Sequence, residues 1–187
     1  GTEMQKEKIK SIARCVLAVL GVAGVLTIAA VAPNSVQMLK MFGLKDKRYK
    51  TRSVYSSLKR MQSRRLIEIT ENDGQTTIRI TENGRKRLLN YNFETMTVPA
   101  PKKWDGKWRI VGFDIPEKKK QAREALRNKM RELGFMVLQK SLFVLPYDCK
   151  KEIEFIGEFF GVNKHIIYAE ASFISNQEYY KEQLGLN

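Results

Sequence analysis

An α+β protein built in two parts follows from three features of the sequence. A basic, helix-forming stretch is followed at once by two short alternating runs joined through Asp73-Gly74. A segment with two prolines and no periodicity, Asn92 to Lys103, then interrupts the chain. Beyond it, Trp108 to Pro146 reads as strand, charged helix and strand.

The first element is an uncharged run of 18 residues, Cys15 to Ala32, closed by Pro33. It is rich in Ala and Gly. Its length permits a buried helix broken near Gly21 and Gly24, a membrane anchor, or a secretory signal ending at Ala30-Val31-Ala32. The residues ahead of Met4, Gly1-Thr2-Glu3, are expected to be an appended remnant outside the fold. A short helix is expected from Ser35 to Phe42, stopped by Gly43. The basic turn Lys45 to Arg48 then leads into a clearer helix from about Tyr49 to Arg65, where Val54, Leu58 and Met61 recur at helical spacing.

Leu66 to Thr70 alternates as a strand, and Glu71-Asn72-Asp73-Gly74 is a tight-turn signal because Asp-Gly adopts positive φ at low cost. Gln75 to Thr81 returns as the partner strand, and Arg85 to Tyr91 closes the region as a helix. This order, basic helix, hairpin and closing helix, is that of a winged helix-turn-helix spanning residues 4–91. Residues 92–103 form the linker.

The second domain, 104–187, opens with the strand Trp108 to Asp114. Pro116 stops it, since proline cannot donate to a ladder and restricts the residue before it. A helix from Glu117 to Leu133 shows Ala122, Leu126, Met130 and Leu133 on one face, and Gly134 ends it. Met136 to Leu145 reads as the next strand, 150–160 as a helix and 164–170 as a strand. A tail from Gln177 to Leu184 forms a last helix or pairs with a partner. The pattern suggests a ferredoxin-like domain of the β-α-β-β-α-β type, with helices on one sheet face.

Charge sharpens the functional expectation. Lys and Arg number 34 against 20 acids, a formal net charge of +14, and residues 1–91 hold +11 of it. Between Lys45 and Arg65 stand nine bases and one acid. A surplus confined to one half points to a polyanion, nucleic acid or an anionic membrane. Lys50, Arg52, Ser56, Lys59, Arg60, Arg64 and Arg65, with Arg79 from the hairpin, are the candidate double-stranded DNA contacts; an ordinary solvated charged face is the alternative. Cys15 and Cys149 show no metal spacing and His165 is the only histidine, which argues against a zinc site or a His-based triad. His165 reads as structural. The composition fits a reducing, cytoplasmic setting.

The segment WRIVGFDIPEKKKQAREALRNKMRELGFMVLQKSLFVLP resembles the central domain of PaaX-type transcriptional repressors. It is also similar to the small CRISPR-associated endonuclease of the spacer-acquisition machinery. RSVYSSLKRMQSRRLIEI and ITENGRKRLL resemble the PaaX-type N-terminal domain. The resemblance, running from about Met4 to Leu186, implies a ferredoxin-like fold and a homodimer. It does not separate regulator from nuclease.

For the nuclease family the resemblance implies a divalent metal held by an acid at the end of the first strand and by its dimer mate. Here that acid is Asp114, the candidate catalytic and Mg²⁺-binding residue. Ser141 aligns with a serine common in that family, and Arg123 and Arg127 could contact phosphates. The alternatives are that Asp114 caps the helix at Glu117, that Arg123 and Arg127 form a solvated stripe, and that Ser141 faces the sheet edge. A dimeric DNA-binding repressor without cofactor is the reading preferred. A Mg²⁺-dependent endonuclease and a nucleic-acid-binding protein tethered to a membrane through residues 15–32 are the alternatives. Only about 15 residues follow the third strand, so the resemblance stops short of a long C-terminal effector region.

Overall fold

The apolar run that opens the chain does not stay one element. The computed structural model describes residues 2–29, 41–44 and 51–186. Helix α1 (Thr2–Ala23) ends where Gly24 takes φ 73°, and Val25–Ala29 continue as strand β1. Glycine reaches that φ without a Cβ penalty, and the β-branched residues after it suit a pleated surface. The expectation of a single helix over 15–32, whether core or anchor, is thereby corrected. Among the described residues no helix is long and apolar enough to cross a membrane. Thr2 and Glu3, expected to lie outside the fold, are part of α1. The helix expected over Ser35 to Phe42 lies almost wholly outside the described residues, as do Lys45 to Arg48 and Lys50.

The architecture is α+β with two antiparallel sheets. The chain divides into two compact units, Gly1–Glu94 and Thr95–Asn187.

In the first unit, α2 (Thr51–Ser63) precedes a hairpin of β2 (Ile67–Asn72) and β3 (Gln75–Ile80), and α3 (Glu82–Glu94) follows. The turn is Asp73-Gly74, with φ 47° and 70°, as the Asp-Gly pair predicts. Strand β1 adds to the far side of β3, giving the order β1-β3-β2. Ile12, Val16, Leu17 and Leu20 recur at helical spacing on α1. They pack in one core with Val54, Leu58 and Met61 of α2, Ile67, Ile78 and Ile80 of the sheet, and Tyr91 of α3. Helix α3 runs on to Glu94, three residues into the segment read as linker.

The second unit is a four-stranded sheet in the order β5-β6-β4-β7. It comprises β4 (Trp108–Phe113), helix α4 (Lys120–Glu132), β5 (Met136–Gln139), β6 (Leu142–Leu145), helix α5 (Lys150–Phe160) and β7 (Ile166–Ala171). A 3₁₀ turn, Glu117–Lys119, precedes α4, so the α-helix starts later than Glu117. The strand expected over 136–145 is a hairpin instead. The polar pair Lys140-Ser141 folds the chain back, and Val137 to Val144 pair antiparallel with an irregularity between Val137 and Gln139.

Alternation along β4 sends its side chains to two faces. Phe113 stacks on Phe143 at 5.7 Å on one of them. Trp108 and Ile110 occupy the other and pack with Val144, Met136 and Leu138. The tail forms helix α6 (Gln177–Leu184), whose Tyr180 and Leu184 join that second cluster. Helix therefore covers part of both sheet faces, not one, because the residues Tyr180, Leu184 and Leu186 supply apolar area to the face left open by α4 and α5.

Candidate nucleic-acid interface

The three core residues of α2 fix its rotation. Val54, Leu58 and Met61 are all buried, so residues at 52, 55, 56, 59, 60 and 63 lie on the opposite side. Those positions hold Arg52, Tyr55, Ser56, Lys59, Arg60 and Ser63, and each is exposed. Arg64 and Arg65 extend the charge past the last turn. No acid stands between Thr51 and Arg65. The helix stops because Arg65 takes φ 55°, donates its N–H to the Gln62 carbonyl at 2.9 Å, and hands the chain to β2.

The hairpin is of opposite character. Glu68, Glu71 and Asp73 are exposed on it, and Arg79 is its one base. Arg79 stands at the base of the hairpin, away from the turn, directly across from Glu68 and Val25. An exposed like-charged hairpin repels phosphate rather than gripping it, so the basic face of α2 is the place where polyanion affinity concentrates in this unit. Lys50 lies outside the described residues; the other seven expected contacts are all exposed. Tyr55 was not among the residues the sequence singled out. It is 51% exposed in the middle of this face, with the Lys59 ammonium 4.9 Å from its ring centroid. Its signal was its position one residue after Val54, off the core stripe.

In the second unit, the residues tied to metal and phosphate chemistry are dispersed into structural roles. Asp114 is exposed at the end of β4 and its backbone N–H donates to the His165 carbonyl at 3.0 Å. Pro116, not Asp114, occupies the N-cap of the following 3₁₀ turn, and no side chain caps it. His165 ends a second 3₁₀ turn, Asn163–His165, in keeping with its structural reading. Among the described residues no group of three or more His, Cys, Asp or Glu side chains could hold a metal ion. A single chain thus offers Asp114 as one isolated carboxylate.

Both arginines expected at phosphates have internal partners. Arg123 donates to the Ile115 carbonyl at 3.2 Å and to Glu117 at 2.7 Å, and holds the Glu117 carboxyl below its ordinary range. Arg127 is buried. Its Nε donates to the Lys140 carbonyl at 3.0 Å, and its terminal nitrogens reach Glu124 at 2.7 Å and the Ser141 hydroxyl at 3.3 Å. Arg127 therefore pins the β5–β6 turn to α4.

One further arginine escaped the sequence reading. Arg109, 5% exposed, makes a two-pronged pair with Asp105 and also donates to the carbonyls of Lys107 and Pro146. The hydrogen bond from its guanidinium brings the Asp105 carboxyl down to about 2. Nearby, burial pushes the Cys149 thiol and the Tyr168 hydroxyl each up to about 12. An arginine on a strand has no spacing that marks it as buried, so only the fold reveals this knot.

Two comparisons bear on these observations. Residues 101–182 match the family model described as the PaaX protein central Cas2-like domain. The chain is also similar to the endoribonuclease YbeY of Geobacillus sp. (strain WCH70), 30% identical over 106 residues, which covers 47% of this chain and 68% of that protein.

Proposed function

The chain belongs to the PaaX-like family through the central domain of its second unit, and from that premise we propose that it is a homodimeric DNA-binding transcriptional regulator. The observation that carries the proposal is the outward face of α2, basic and free of acids from Thr51 to Arg65. Such a helix, followed by a hairpin whose sheet takes in an earlier strand, supports a winged helix-turn-helix that lays α2 in the major groove. The sheet order β5-β6-β4-β7 with its two intervening helices supports a ferredoxin-like second domain, which pairs two copies and sets the spacing of their half-sites. Lysines and arginines on α2 supply most of the affinity through phosphates, so binding falls steeply with salt.

A second reading, a Mg²⁺-dependent nuclease, draws on the exposure of Asp114 at the end of β4. One carboxylate does not make a Mg²⁺ site, so this reading requires the Asp114 of a second copy and substrate phosphates to complete the shell.

One experiment separates the two. Labelled duplex from the promoter region of the encoding gene, and labelled RNA, are each incubated with the protein in Mg²⁺, Mn²⁺ or EDTA. Retarded and uncut duplex in every lane, resistant to random competitor, supports the regulator. Metal-dependent cutting that disappears in Asp114→Ala replaces it with the nuclease.

A further inference from the structure

The exposed face of α2 has five places for charge and small polar groups and one large ring. Ser56 and Ser63 turn their hydroxyl hydrogens inward: Ser56 donates to the Ser53 carbonyl at 3.0 Å and Ser63 to the Arg60 carbonyl at 2.9 Å. Neither serine offers that hydrogen to a ligand. The cations Arg52, Lys59 and Arg60 match phosphates, which carry no sequence information. Tyr55 is the exception. Its phenol has no hydrogen-bond partner among the described residues, half its surface is in solvent, and it sits between Arg52, Ser56 and Lys59. The Lys59 ammonium over the ring, at 4.9 Å, restricts the ring without covering it. A restrained aromatic loses little freedom on contact, which suits a specificity element.

We propose that Tyr55 is the residue of α2 that reads base identity, its ring against a thymine 5-methyl group and its hydroxyl on a neighbouring base-edge acceptor in the major groove. Thymine presents the only methyl in that groove, beside an O4 acceptor, and purines present N7. A phenol answers both with one side chain. The core does not need this ring, since Val54, Leu58 and Met61 seat the helix. The inference rests on the DNA-binding reading above.

The test begins with selection of the full chain on a random duplex pool, followed by Kd measurements on the selected duplex and on the unselected pool. Tyr55→Ala is expected to weaken the selected duplex by roughly ten-fold. Its affinity for the pool stays within about two-fold and its salt slope is unchanged, because no phosphate contact is lost. Tyr55→Phe keeps thymine preference and loses the neighbouring base. Replacing thymine by uracil in the selected duplex weakens the wild type and leaves Tyr55→Ala indifferent. That readout holds even if the alanine variant is poorly folded, since Tyr55→Phe and the uracil duplex test the two contacts separately. Lys59→Ala lowers binding to both duplexes and reduces the salt slope by about one. If Tyr55→Ala enriches the same motif with the same preference at every position, the inference is wrong while DNA binding stands. A wild-type chain that enriches no duplex removes the DNA-binding reading itself.

Discussion

The Thr81 hydroxyl donates a 2.6 Å hydrogen bond to the backbone carbonyl of Arg65, across 16 residues of sequence. The same oxygen accepts the Gly84 N–H at 3.0 Å at the start of α3. One side chain thus fixes the residue that ends α2 and caps the helix that follows the hairpin. Next to it, a Cβ on Gly84 would strike the Leu66 carbonyl oxygen. Thr81→Val keeps the shape and removes both bonds, so it is expected to destabilise the first unit by about 1–2 kcal/mol, with Thr81→Ser restoring most of that. Urea unfolding followed by far-UV circular dichroism measures it.

Arg127→Ala separates a structural arginine from a phosphate contact. Loss of the bonds to Lys140, Ser141 and Glu124 should cost about 2 kcal/mol. Duplex affinity should stay within two-fold. A ten-fold loss of affinity at unchanged melting temperature would return this residue to the nucleic-acid interface.

Charge reversal on α2 gives the opposite signature. Arg60→Glu or Arg64→Glu should leave the melting temperature within a degree or two, because both side chains are exposed. Duplex binding at about 100 mM salt should fall below detection, and the loss should shrink as salt is lowered. Fluorescence anisotropy over a salt series reads both effects.

Asp105 makes stability depend on acid. Its carboxyl, about 2 in the folded chain against an ordinary 3.8, binds protons less readily folded than unfolded. The pair with Arg109 therefore contributes fully above about pH 4, and the contribution is lost as pH falls through about 2. Half-exposure of Asp105 keeps the effect small. Asp105→Asn should lower the melting temperature at pH 7 and flatten its decline between pH 4 and 2. An unchanged slope in that range would assign the acid limb to other carboxylates.

The parts of the fold visible in the sequence are those written in local pattern. The Val54, Leu58 and Met61 spacing gave α2 its rotation, Asp73-Gly74 the hairpin, and Asp114-Ile115-Pro116 the end of β4. Strand β1 was hidden because Val25 to Ala29 continues an apolar run whose hydropathy does not change at Gly24; the partner that makes it a strand, β3, is distant in sequence. The β5–β6 turn was hidden for another reason, since Lys140-Ser141 has no Gly, Pro or Asn to announce it. At the site, charge was legible and side-chain commitment was not. Nothing in the spacing of Arg123 and Arg127 tells that Glu117, Glu124 and two carbonyls hold them, or that Tyr55 stands clear of the core.

The pairing of β1 with β3 joins residues more than fifty positions apart, Val25 with Arg79, whereas β2 and β3 meet across a two-residue turn. Hairpins close in microseconds, and long loops pay their closure entropy before any contact repays it. On a ribosome, β1 emerges well before the edge it needs. The strand synthesised first is thus placed last, and pulse-labelled hydrogen exchange during refolding should find the hairpin amides protected ahead of those from Val25 to Ala29.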